Sequence, residues 1–514
     1  MKKSIIILVS FLINTSYITA QTPTLQWQKT LGGTLEDMAS TIIQTSDGGY
    51  LTVGYSYSSD GNVTLNHGVQ DYWVVKLNAT GTIEWQKSLG GSDEDTPTSV
   101  VQTTDGGYAV AGFTASTDGN VTGNHGEYDY WVVRLNSAGT ILWQKTYGGT
   151  NNDMAYSIAP TSDSGFIVAG LTTSYDGDIN DNNGGGDVWI VKINSSGVLQ
   201  WQKTLGGTSS DQAKSISQTA DGGYVMAGKT YSNDLDVSGN HGDYDFWVVK
   251  LDSAGTIQWQ KALGGTNEDE AISIIKTTDG GYAVAGIIYS NASNGNITGQ
   301  HGEHDFWVVK LNSLGTIQWQ RPLGGSNSDR GYSIVQTNDG GFVVAGSCQS
   351  YNGDVVTGNN DNGGVWLVKL NAAGVVQWQK PFGGSEYEEA FSLIKTTDGG
   401  FAVAGFTYSN DGDVSGNHGD SDFWILKLSG ENLGTTDFQR NAMIVYPNPV
   451  TDVLQIQGVT EPITAIKIID LTGKTVLEQT TSNHFFDVEL LPQGIYLLEV
   501  YTEKYKHTHK FTKQ

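Results

Sequence analysis

All 14 tryptophans of this 514-residue chain fall into two series. One runs Trp27, Trp85, Trp143, Trp201, Trp259, Trp319 and Trp378, each within "WQK" or "WQR". The other runs Trp73, Trp131, Trp189, Trp247, Trp307, Trp366 and Trp424, each within a "WVVKL"-like segment. Both advance by 58 to 60 residues. A fixed period of this kind marks a supersecondary unit that cannot bury its apolar face alone and packs on its own copies.

Each unit holds four strand-like runs. In one copy they are "SVVQTT" (Ser99 to Thr104), "YAVAGFTAS", "YWVVRLN" and "TILWQKTYGG". Period-2 alternation of apolar residues supports strands, and the "DGG" and "NSAG" links carry hairpin turn chemistry. Four antiparallel strands repeated seven times predict an all-β chain folded as a seven-bladed β-propeller. The phase of the repeats adds a closure. The chain enters on a fourth strand, "LQWQKTLGG" from Leu25, and leaves on a third strand, "FWILKLS" from Phe423. The N-terminal strand is therefore expected to complete the last blade, leaving no open edge. An open solenoid would give that complementary phase no reason.

Composition fits short strands and tight turns, with 67 glycines and 9 prolines. The formal charge of −26 argues against nucleic acid as a partner, because phosphate binding needs basic patches. Lys2 and Lys3 precede an apolar run, and Ala20 precedes a cleavage point, so residues 1–20 read as a signal peptide. No later stretch has the length of a membrane helix. The single cysteine, Cys348, allows no intrachain disulfide and aligns with Thr114, Thr172, Thr230 and Thr407, which marks a small buried side chain.

Repetition separates scaffold from function. An acid recurs after the double glycine as Asp37, Asp95, Asp153, Asp211, Asp269, Asp329 and Glu388. A cation recurs after each third-strand tryptophan as Lys76, Arg134, Lys192, Lys250, Lys310, Lys369 and Lys427. One active site has no use for seven copies, so these charges are expected to pair blades or cap loops. Strand alternation places "DGG" and "NSAG" on one face, and the long polar loop and the crossover on the other. The second face gathers most of the repeating acids and is the expected functional one.

The long loop has a metal-like spacing. Asp118, Asn120, Thr122, Gly123 and Asp129 stand at positions 1, 3, 5, 6 and 12 of a run resembling a calcium loop with Asp at its end. Asp234, Asp236 and Asp245 repeat the carboxylates, as do Asp411, Asp413 and Asp422, so Ca2+ is the one expected cofactor. His67, His125, His241, His301 and His418 recur once per loop and read as satisfied loop residues, not transition-metal ligands. Two loops depart most from the pattern, around Asp176, Asp178, Asn180 and Asp187 and around Asp354 and Asp361. Their carboxylates and amides are expected to bind a hydroxyl-rich ligand or an ion. No nucleophile elbow, phosphate loop or zincin motif is present, and the chain reads as a non-enzyme.

After residue 430 the repeat stops. A linker over 431–440 leads to a segment of alternating strands over 441–514, consistent with a small β-sandwich. Its Tyr446-Pro447-Asn448-Pro449, its "DLTGK" turn with Gly473, its Gly494-Ile495-Tyr496 and its basic last strand resemble the C-terminal sorting domain of the type IX secretion system of Bacteroidetes-type bacteria. That resemblance implies recognition by the type IX machinery and passage through the periplasm to the outer-membrane surface or the medium. The expected protein is a secreted or surface propeller over 21–430 that binds a glycan or protein ligand. The rival reading is an extracellular enzyme acting on glycans at the loop face.

Overall fold

The computed structural model describes residues 22–289, 295–355, 363–430, 443–457, 459, 462–480, 482–502 and 506–514, which fall in two compact units, 22–430 and 443–514. The segments expected to be signal peptide (1–20) and linker (431–440), and Asp361, lie outside the described residues.

The larger unit consists of seven four-stranded antiparallel sheets. Six are built from consecutive strands, and the seventh joins Glu388–Lys395, Phe401–Thr407 and Asp422–Leu428 to the N-terminal strand Leu25–Leu31. In that last sheet Leu31 lies opposite Phe423 and Thr30 opposite Trp424. The ring closes as its repeat phase requires.

The two tryptophan series do different work. Third-strand tryptophans are almost completely buried, and each donates its indole N–H to a glutamine on the following strand, Trp73 to Gln86 at 2.8 Å and Trp424 to Gln28 at 3.0 Å. The preceding residue, aromatic in five blades and valine at Val188 and Val365, points through the opposite sheet face, because strand side chains alternate. It meets the next blade's tryptophan: Tyr72 lies 4.5 Å from Trp131 and Phe246 4.7 Å from Trp307, ring to ring. Adjacent aromatics of one strand thus lock a blade to both neighbours. Fourth-strand tryptophans lie at the rim, where Trp85 covers the Gly139 turn of the next blade and leaves no room for a Cβ.

The smaller unit has a three-stranded sheet and a four-stranded sheet over a core that includes Leu454, Ile466, Leu498 and Phe511. Tyr446 ends the strand Ile444–Tyr446, and Pro447, Asn448 and Pro449 follow. Asn448 accepts the Thr512 amide N–H at 2.9 Å, which fixes this segment to the terminal strand. Gly473 adopts φ +86° in the turn before Thr475–Thr480. Gly494 opens the strand Gly494–Thr502, whose Tyr496 stacks on Phe511 with ring centres 5.7 Å apart.

Candidate functional site

The innermost strand of every blade is interrupted. Asp37–Gln44 pairs with Tyr50–Ser56, but the register jumps between Ala39 and Thr41, leaving Ser40 as an extra residue. The same shift brackets Thr98, Tyr156, Lys214, Ile272, Tyr332 and Phe391 in the other six blades. A bulge breaks period 2 and re-aims a side chain. A glycine on the second strand permits it: a Cβ at Gly54 would lie 2.0 Å from the Met38 carbonyl oxygen. The inner strand therefore begins at Asp95, not at the expected Ser99, because the bulge at Thr98 disrupts the alternation.

The seven bulge residues line the central channel, which holds a cavity of about 390 Å³. The next residue is always a small hydroxyl: Thr41, Ser99, Ser157, Ser215, Ser273, Ser333 or Ser392. Several of these stitch blades together, as where Ser157 Oγ accepts the Ile216 N–H at 3.1 Å and Ser333 Oγ accepts the Leu393 N–H at 3.1 Å. The constant ring is scaffold. The variable ring differs in nearly every copy, with only tyrosine used twice.

That variable ring is lopsided. On one arc Ser40 and Thr98 donate to backbone oxygens of the adjacent blades, Pro97 and Ala155. On the other, Lys214 lies 4.0 Å over the Tyr156 ring and 3.3 Å from Glu270, while Tyr332 and Phe391 meet edge to face at 5.1 Å. Burial, reinforced by Glu389, pushes the Tyr332 phenol far up, so it stays protonated. On the second strand a further position varies, with Lys229 on Glu268 at 2.8 Å and Ser347 donating to Glu389 at 3.0 Å. The lining offers aromatic faces, hydroxyls and mutually neutralised charges.

The repeated charges cap loops. Asp37 accepts from the Gly33 N–H and the Ser58 hydroxyl, within its own blade and crossover. At the opposite blade end Lys76 pairs with Asp47 of the "DGG" turn at 3.0 Å. Lys192 pairs in the same way with Asp163 of its own blade, at 2.8 Å. Cys348 is fully buried, and burial drives its thiol well above the usual range.

The structure does not bring the calcium-loop positions together. Asp118 accepts the Ser92 N–H at 2.7 Å, Asn120 the Gly90 N–H at 3.2 Å, and Asp129 faces His125 Nδ1 at 2.6 Å. Asp234 sits on Thr208, Asp236 on the Gly206 N–H and Asp245 on His241; Asp411 sits on Ser385, Asp413 on the Gly383 N–H and Asp422 on His418. Each loop histidine is held by the aspartate four residues on. Among the described residues no three His, Cys, Asp or Glu side chains are grouped to hold a metal. In the divergent loops Asp176 accepts from Thr150, Asp178 from Gly148 and Asp187 from Asn183, while Asn180 is exposed and Asp354 pairs with Arg321 at 2.9 Å. These are loop caps, spread along the face.

One further arrangement was not foreseen. Asp129, which starts a third strand, and Asp153, which starts the next inner strand, converge over Gly148. A Cβ there would lie 2.3 Å from the first carboxylate and 2.8 Å from the second. Six such pairs exist; in the seventh Gly364 replaces the third-strand acid and Glu388 the inner one. The longer acid accompanies the missing one and still caps the Gly384 N–H at 3.1 Å.

Comparison with known proteins identifies the smaller unit. Residues 444–514 match the secretion system C-terminal sorting domain. The regulatory protein FlaEY of Caulobacter vibrioides is 26% identical over 384 residues, covering 64% of this chain and 38% of that protein. Similar solved structures include Sqt1 from Chaetomium thermophilum, with 10% identity, TM-score 0.41 and coverage of 79% of this chain and 100% of that one. PorZ, a surface component of the type IX secretion system of Porphyromonas gingivalis, has 11% identity and TM-score 0.22, covering 95% of this chain and 100% of that one. Among the described residues no helix is long and apolar enough to cross a membrane. The chain is a seven-bladed β-propeller carrying a type IX sorting domain, and that domain indicates export to the cell surface or release from the cell.

Proposed function

We propose that the exported propeller is a binding protein whose ligand enters the central channel from the crossover face. The observation that carries this reading is the bulge ring: small scaffold residues flank a position that varies from blade to blade and that lines a cavity. A single asymmetric ligand needs that break in sevenfold symmetry. Pre-formed cavities of a few hundred Å³ with aromatic walls and a few polar groups are typical small-ligand sites. The paired charges suit the ends of glycans or peptides and disfavour polyanions. The type IX machinery is the partner of the tail, and the channel ligand is the partner of the propeller.

The test is an array of neutral glycans, acidic glycans and short peptides, probed with the wild-type chain and with a Tyr156→Ala, Tyr332→Ala, Phe391→Ala triple variant. Bound spots are expected to lose at least about tenfold in affinity, the worth of roughly 1.4 kcal/mol of contact, with the fold retained. A folded triple variant that binds undiminished places the ligand elsewhere.

A further inference from the structure

Three residues break positions that are otherwise nearly uniform across the repeats, and all three line one cavity of about 270 Å³ on the tight-turn face between the second and third blades. Arg134 stands where six blades have lysine. Leu142 stands where the others have Gln26, Glu84, Gln200, Gln258, Gln318 and Gln377. Ser164 replaces the middle glycine of the "DGG" turn yet keeps its left-handed backbone, at φ 66°. A non-glycine residue in that region is uncommon and costs conformational energy, and such strain clusters at functional sites.

The departures alter the groove in a connected way. Elsewhere the third-strand lysine donates to the fourth-strand glutamine or glutamate, as Lys192 does to Gln200 at 2.8 Å and Lys76 to Glu84 at 2.8 Å. Leu142 accepts no hydrogen bond, and Arg134 keeps the turn-aspartate contact that the lysines also make, its Nη2 lying 2.6 Å from both oxygens of Asp105. Arg134 itself is buried, while the side chain of Asp105 is 63% exposed. Leu142 is left 55% exposed beside Trp143, whose indole N–H is already spent on the Ser195 carbonyl at 3.1 Å. Thr104, Ser164 and Ser196 supply exposed hydroxyls around this apolar floor.

A lining whose Arg134–Asp105 pair is internally balanced, with one apolar wall and a hydroxyl rim, matches a neutral ligand with one apolar face and hydroxylated edges. We infer that this groove binds a single neutral sugar residue, packed on Leu142 and Trp143 and hydrogen-bonded by the rim. Its volume lies just under the roughly 300–1,000 Å³ of drug-sized sites, which suits one ring more than a chain. The site is separate from the channel, and its reading does not depend on the channel ligand.

The experiment titrates the full chain with maltose, cellobiose and chitobiose, followed by saturation-transfer NMR and calorimetry. Leu142→Gln restores the residue of the other blades, and Ser164→Gly restores their turn, so both variants keep a fold the repeat already supports. Wild type should bind at least one of the three sugars. Leu142→Gln should weaken it about tenfold, as expected for losing one buried apolar contact. Ser164→Gly should weaken it several-fold while its melting temperature holds or rises. Tyr332→Ala, in the channel, should leave this affinity unchanged. The inference is overturned if no sugar binds, if Leu142→Gln binds as wild type does, or if Tyr332→Ala alone removes binding, which would move the sugar to the channel.

Discussion

Each blade carries aspartates at both ends, and the two rings they form are electrostatic opposites. At the crossover end Asp37 is fully buried without a cation beside it, and burial outweighs its hydrogen bonds to push its carboxyl up to about 6. Asp95, Asp129, Asp187, Asp245 and Asp305 are pushed to about 6 as well. At the turn end Asp47 is exposed; slight burial raises it, but the Thr45 hydroxyl, the Gly49 amide and Lys76 together lower it to about 2. Asp105, Asp163, Asp221, Asp279 and Asp398 also lie at about 2. The same residue type, within one strand's length, thus meets opposite fates because one site excludes water and the other supplies a cation. Repetition of a residue type says nothing about its charge state; surroundings decide it.

The comparison rests on a closed ring, and opening it should have the largest effect. Deleting residues 22–31 removes the strand that pairs with Asp422–Leu428 and takes Gln28 from Trp424. It also frees the sheet edge beside the Asp37–Asp422 contact. Aggregation on size-exclusion chromatography and loss of the cooperative melt are expected. An unchanged melt would show that closure is dispensable.

Within one blade, Asp211→Ala and Asp221→Ala compare the rings directly. Asp211 accepts from the Gly207 N–H and the Ser232 and Thr230 hydroxyls in a fully buried site. Its loss strands those donors and should cost about 3 kcal/mol in denaturant unfolding. Asp221 is 55% exposed, and Lys250 would keep Gln258 and the Leu251 carbonyl. Its loss should cost about 1 kcal/mol or less. Equal costs would erase the distinction between the ends.

Acidity separates the rings by sign. A carboxyl raised in the folded state binds its proton more tightly there, so its contribution is complete below about 3.8 and is lost as pH rises through about 6. The lowered ring contributes fully above about 3.8 and loses its effect as pH falls through about 2. The propeller should therefore melt a few degrees higher at pH 5 than at pH 7.5. A melting temperature that is equal or lower at pH 5 would mean that the buried ring is ionised and compensated by its donors.

Much of this architecture is legible in the residues. The tryptophan spacing reveals the blades, the phase of the first and last strands reveals the closure, and the tail motif reveals the sorting domain. The channel site is harder to see. Its bulge breaks the alternation on which strand reading depends, so the inner strand is read as starting at Ser99 and the variable position drops into apparent loop. One signal is available: a constant glycine inside the second strand, which marks a bulge opposite. The acidic loop spacing points toward calcium, and a linear pattern by itself does not show which amides those carboxylates cap.

The period, the strand order and the closing strand are written in the residues, because these depend on local alternation, turn chemistry and recurrence along the chain, while the destination is read through the tail's resemblance to a sorting domain. Only the tertiary structure decided that bulge residues from seven blades share one channel, that Asp129 and Asp153 meet over Gly148, and that Arg134, Leu142 and Ser164 border one groove. Residues from different blades become neighbours only when the ring closes, and the burial that sets their charge exists only after they have met.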